Sequence, residues 1–101
     1  MKQAIGILET KGLTTLITGT DAMLKSADVQ ITGPLKNVGS AIVSVTVEGN
    51  VAAVKAAIES GVEAAQSVGE VLSAHVIARP SDGLATVLPS APAKTARKTA
   101  K

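Results

Sequence analysis

From Val38 to Glu48 the chain alternates. Ala41, Val43, Val45 and Val47 fall on one face, and Ser40, Ile42, Ser44, Thr46 and Glu48 on the other. A two-residue period belongs to a strand with one buried face. The small polar stretch Lys36-Asn37-Val38-Gly39-Ser40 ahead of it reads as a turn. Residues 3–9 alternate in the same way and predict a first strand, in which Gly6 marks a close approach to the backbone, such as a helix makes. Apolar positions Leu13, Leu16, Ile17, Thr20, Met23, Leu24 and Ala27 make one helical stripe over 13–27, with Asp21 and Lys25 placed to pair across a turn. Val29–Thr32 predicts a second strand, ended by Gly33-Pro34. Asn50 is placed to cap a helix over 51–68 with an apolar stripe of Val51, Val54, Ile58, Gly61, Val62, Ala65 and Val68, stopped at Gly69. Residues 71–79 predict a last strand, 80–83 a turn, and 84–88 a short helix or docked segment.

Strand, helix, strand, strand, helix, strand, with a hairpin around Gly33 to Ser40, is the split βαβ order. It predicts an α+β, ferredoxin-like fold: a four-stranded antiparallel sheet with two main helices on one face. Residues 1–90 form one domain. Residues 91–101, rich in Ala, Lys and Thr, are too polar to bury a core and read as a flexible basic tail.

Composition sharpens this in two ways. Of 101 residues 46% are hydrophobic, yet none is Phe, Tyr or Trp. A small core of Val, Ile, Leu and Ala alone is marginal, which favours self-association. The formal charge of +2 is misleading, because the tail alone carries Lys94, Arg97, Lys98 and Lys101. The remainder sets eight acids against six Lys or Arg, so the folded part is mildly acidic and lacks the basic face of a nucleic-acid-binding domain. The missing aromatics also remove the base-stacking residues of an RNA-binding sheet.

Catalytic chemistry finds no footing. There is no cysteine and one histidine, His75, with no second ligand or nucleophile in reach along its strand. Glu59 and Glu63, one turn apart on the wet face of their helix, read as solvated charges. No catalytic residue, metal site or cofactor is expected. The N-terminal apolar run is too short for a secretion signal, and no run of about 18 apolar residues suggests a membrane span. A cytoplasmic protein without membrane or nucleic-acid partners is expected.

Several ordered blocks carry a resemblance. They are Ala4-Ile5-Gly6-Ile7-Leu8-Glu9-Thr10-Lys11-Gly12-Leu13, Asp21-Ala22-Met23-Leu24-Lys25-Ser26-Ala27, the Gly39-Ser40 turn, and Gly49-Asn50-Val51-Ala52-Ala53-Val54-Lys55-Ala56-Ala57. Val68-Gly69-Glu70-Val71 and His75-Val76-Ile77-Ala78-Arg79-Pro80 complete the set. Over residues 3–88 the chain resembles the shell proteins of bacterial microcompartments, the BMC-domain family of carboxysomes and of propanediol- and ethanolamine-utilisation organelles.

The resemblance implies a flat homohexamer that packs edge to edge into a shell, with other shell proteins and encapsulated enzymes as partners. It implies a central pore lined by Gly39, Ser40 and Ala41, with Lys36, Asn37 and Val38 alongside. Six hydroxyls and sets of backbone N–H groups would favour small polar solutes. Lys25 and Arg79 are implied at the hexamer edge, beside Asp28. Three departures from the family pattern stand out: Ala41 where Gly is common, Ala78 where Pro is common, and Asp28 where Asn is common. The segment 34–38 is also one residue longer than usual. The competing reading is a ferredoxin-like regulatory oligomer that senses a small metabolite. If Lys36 rings the opening, Lys36→Glu lowers anion flux through assembled shells severalfold, and tracer entry at an unchanged rate would count against that role.

Overall fold

A computed structural model describes residues 3–81 and Leu84. The chain forms β1 (Ala4–Lys11), α1 (Leu13–Ser26), β2 (Gln30–Ile31), β3 (Lys36–Gly39), β4 (Ile42–Gly49), α2 (Val51–Gln66) and β5 (Glu70–Ile77). All pairings are antiparallel, in the order β2, β4, β1, β5, with β3 also on β4. β2 pairs with the end of β4 and β3 with its start, so the two short segments share one lane interrupted at Gly33-Pro34. Five strands thus fill the four lanes of the expected ferredoxin-like sheet.

The β4 alternation holds, with Val43, Val45 and Val47 at 5%, 1% and 0% exposure. Register places Val47 opposite Gly6 and Val45 opposite Leu8, so these residues share the face that both helices cover. Two expectations are corrected. Residues 36–39 form strand β3, not a turn, because they find ladder partners on β4. The hairpin tip is Ser40-Ala41, and Ala41 lies in that turn, exposed, outside the buried face.

The helices close on glycines. A Cβ on Gly6 would lie 2.8 Å from Ile58 Cγ1 and 2.9 Å from Val54 Cγ1, so α2 rests on the β1 backbone, as its sequence suggested. The helices cross at Gly19 and Gly61, where a Cβ on Gly19 would sit 3.0 Å from the Gly61 carbonyl oxygen. This crossing turns α1. Its buried side is Thr15, Leu16, Gly19, Thr20 and Met23, whereas Leu13, Ile17 and Leu24 are 52%, 51% and 45% exposed. The expected single stripe therefore splits: Leu16 and Met23 pack inward on either side of Gly19, whose missing side chain lets α1 meet α2, and Leu13, Ile17 and Leu24 stay outside.

Asn50 caps α2 as expected, its Oδ1 accepting from the Ala53 N–H at 2.8 Å. Gly69 is required by space, since a Cβ there would collide with the Thr15 side chain. The Leu84 N–H donates to the Ser81 carbonyl at 3.0 Å, while the rest of the 84–88 segment and the 91–101 tail lie outside the described residues. Gly6→Ala is expected to destabilise the fold by about 1–3 kcal/mol through overpacking against Ile58 and Val54, measurable as a lowered midpoint in chemical denaturation.

Candidate functional site

β4 has the hairpin tip at one end and the α1–β2 junction at the other. Its eight residues, at about 3.4 Å each, separate the two ends by about 24 Å. α1 runs in the same sense as β4, from Gly12 beside the tip to Ser26 at the far end. The candidate residues divide between these ends.

At the tip, Lys36, Asn37, Val38, Gly39, Ser40 and Ala41 are all exposed. Gly39, Ser40 and Ala41 have φ values of 95°, 53° and 64°, three left-handed residues in a row. The Asn37 Oδ1 accepts from the Gly39 N–H at 2.9 Å. The Gly12 N–H, at the start of α1, donates to the Ala41 carbonyl at 2.6 Å. Register shifts between Asn37 and Gly39, leaving Val38 unpaired in a bulge. Lys36 lies opposite Ser44, on the helix-free face of the sheet.

At the far end, Lys25 closes α1 and Asp28 follows it, both exposed. The Lys25 Nζ pairs with Asp21 Oδ2 at 2.9 Å, the pairing expected from spacing. The Asp21 hydrogen bond, and then its charge, raise the Lys25 pKa above the ordinary lysine value. Any stabilisation that Lys25 gains from this exposed pair is present at neutral pH and is lost as pH rises from the ordinary lysine value through the raised one. Asp28 lies against Gly49, where a Cβ would meet the Asp28 carbonyl oxygen at 3.0 Å. Arg79 is exposed just beyond Ile77, and Ile77 pairs with Ile5 near the start of β1, so Arg79 also belongs to this end. A cleft of about 330 Å³ opens beside β2, lined by Gln3, Asp28, Val29, Gln30, Glu48, Gly49 and Asn50. The Gln30 Nε2 is buried without an acceptor.

Sequence reasoning missed two features. One is the tie between Gly12 and Ala41, a backbone contact that leaves no side-chain signature. The other is the outward stripe of Leu13, Ile17 and Leu24. At 100° per residue these three lie within about 40° of one another and opposite Thr15, which packs toward the end of α2. The stripe therefore faces away from α2 and β5. A second exposed apolar group, Val68, Leu72 and Ile77, follows the β5 margin. The signal for the split was the breadth of the apolar arc on α1, wider than one buried stripe needs.

His75 is exposed on the helix-free face opposite Ile7, and Glu59 and Glu63 are exposed on α2. Among the described residues no group of three or more His, Cys, Asp or Glu could hold a metal ion. No described helix is long and apolar enough to cross a membrane.

A family profile described as the BMC domain matches residues 4–80. The chain belongs to the BMC-domain family. It is 49% identical over 88 residues to the bacterial microcompartment shell protein PduA of Citrobacter freundii, covering 87% of this chain and 94% of that protein. The bacterial microcompartment shell protein EutM of Escherichia coli is 46% identical over 87 residues, covering 86% and 89%. The carboxysome shell protein CcmK2 of Synechocystis is 44% identical over 91 residues, covering 88% and 87%. Among solved structures, a microcompartment protein from Desulfitobacterium hafniense superposes with a TM-score of 0.74 at 28% identity over 85% of this chain. This BMC-domain chain spans 46% of that longer protein.

Proposed function

We propose that this chain is a structural tile of a bacterial microcompartment shell, not an enzyme. Its homohexamers join edge to edge, and a central opening formed by the β3–β4 tips passes small polar metabolites. The kinship with three shell proteins over most of their length supports the shell role. No feature among the described residues favours the regulatory alternative.

The observation that carries the ring is the placement of the two exposed apolar groups. Leu13, Ile17 and Leu24 lie on the side of α1 away from α2, whereas Val68 and Leu72 are exposed along the β5 edge and Ile77 on the helix-free face of that strand. Different patches on two sides of the molecule make a head-to-tail contact, the kind that closes into rings. Each side chain is roughly half-exposed, so its burial adds about 1 kcal/mol. That gain supplies what an aliphatic core without aromatics lacks.

The opposite placement of tip and far end supports the division of labour. Residues 36–41 would face the ring axis, and Lys25, Asp28 and Arg79 the rim, about 24 Å outward. Lys25 would lie along a neighbouring tile through its apolar stem, exchanging Asp21 for acceptors there. The cleft with Asp28 and Glu48 suits a cationic side chain from the neighbour, whose backbone carbonyls would also satisfy Gln30 Nε2. The protein would reside in the shell, with other shell proteins and encapsulated enzymes as its remaining partners.

Two variants separate ring from layer. Ile17→Glu is expected to shift the purified chain from hexamer to monomer by native mass spectrometry, and an intact hexamer would remove α1 from the ring contact. Lys25→Asp is expected to keep the hexamer while abolishing ordered layers under the electron microscope. Normal layers would reject the rim assignment.

A further inference from the structure

The cleft at the far end has two carboxylates and no basic residue in its lining. Asp28 and Glu48 find no ion-pair partner among the described residues, whereas Asp21 holds Lys25. The Gln30 Nε2, at the same cleft, is buried and lacks an acceptor. Buried donors are ordinarily satisfied, so the cleft is shaped for an occupant that brings positive charge together with a carbonyl or hydroxyl oxygen. Strand register places the outgoing chain beside it. Gln30, Glu48, Ile5 and Ile77 form one row across the sheet. Strand spacing puts Ile77 about 10 Å from Glu48. Ile5 is 0% exposed on a face without a helix, and Pro80, three residues past Ile77, is buried, so the chain leaving β5 turns over this end of the sheet. The Leu84 N–H donates to the Ser81 carbonyl and keeps that turn close. The sequence beyond carries Lys94, Arg97, Lys98 and Lys101 and no acid, against a mildly acidic remainder. Lys94 stands ten residues past Leu84, a length of chain that spans up to about 33 Å, well beyond the distance to be covered.

We propose that the cleft lined by Asp28 and Glu48 is the docking site of this chain's own basic segment, residues 94–101, which there competes with the neighbouring tile; the competition rests on the rim reading above. A Lys or Arg head of the segment meets the two carboxylates, and one of its backbone carbonyls or Thr hydroxyls accepts from Gln30 Nε2. Tethering gives the segment a local concentration on the order of millimolar, so a few exposed ion pairs suffice to hold it. The docked segment fills the place that a neighbour's cationic side chain would take. Docking therefore holds tiles apart, and release of the segment frees the rim to join.

The chain has no cysteine, so introduced thiols are unique. Full-length protein with Gln3→Cys and Ala96→Cys, one thiol at the cleft and one in the basic segment, is treated with a short bis-maleimide. A cross-link within one chain, read by mass, is expected in most molecules. It is expected to fall severalfold when Asp28→Asn and Glu48→Gln are added, with an unchanged unfolding midpoint showing that the fold holds. Protein with Gln66→Cys and Ala96→Cys is expected to link rarely, because Gln66 is exposed at the opposite end of α2 from the cleft. Equal linking at Gln66, linking that survives loss of both carboxylates, or a product of twice the chain mass would each overturn the docking. The cross-linked protein is expected to lay down no ordered layers under the electron microscope, while the same protein capped with N-ethylmaleimide does. Layers from the cross-linked protein would overturn the competition. If the cross-link forms as expected but Lys25→Asp still gives layers, the rim reading falls and the docking stands. If Lys25→Asp abolishes layers and the cross-link does not form, this inference alone falls.

Discussion

Close approach to the backbone at glycine, by side chains at Gly6 and Gly61 and by the Gly61 carbonyl at Gly19, holds this fold together. With no aromatic ring to span a gap, two helices and a sheet can exclude water only by approaching closely. Gly6 lets α2 down onto β1, and Gly19 and Gly61 let the helices touch. The buried aliphatics, among them Leu8, Leu16, Met23, Val45, Val47 and Val54, fill what remains. A methyl at any of these crossings meets an atom at about 3 Å or less, so each site is occupied by the one residue that fits.

The same economy shapes the surface. Turning the small residues of α1 toward α2 forces Leu13, Ile17 and Leu24 outward. The sheet ends at β5, where Leu72 and Ile77 are exposed, with Val68 exposed just before it. Apolar surface on two sides of the molecule underlies the proposed ring contact, and family membership gives it a setting in a shell.

Between the flanks, β4 and α1 act as rigid struts that keep two kinds of surface apart. The hairpin tip is backbone-rich, uncharged apart from Lys36, and clamped by hydrogen bonds. The far end carries Lys25 and Arg79, and a cleft lined in part by Asp28 and Glu48. Tip and far end cannot interfere with each other because a hydrogen-bonded strand does not shorten.

Much of this was legible in the residues. Period-two alternation in β1 and β4, the Asn50 cap and the Asp21–Lys25 pair are local, and local signals survive in sequence; the Gly6 contact, though long-range, was legible because a glycine inside a strand is itself a signal of close approach. The candidate tip and rim residues were nameable because separated blocks of a known family stood in order. What only the tertiary structure decided depends on distant partners. Residues 36–39 became a strand because β4 offered ladder bonds, α1 took its rotation from a glycine on another helix, and Ser40 and Ala41 took left-handed backbones under ties from Asn37 and Gly12. A sequence records which residues can adopt such states. The partner across the fold selects among them, because its hydrogen bonds and contacts exist only once the chain has closed.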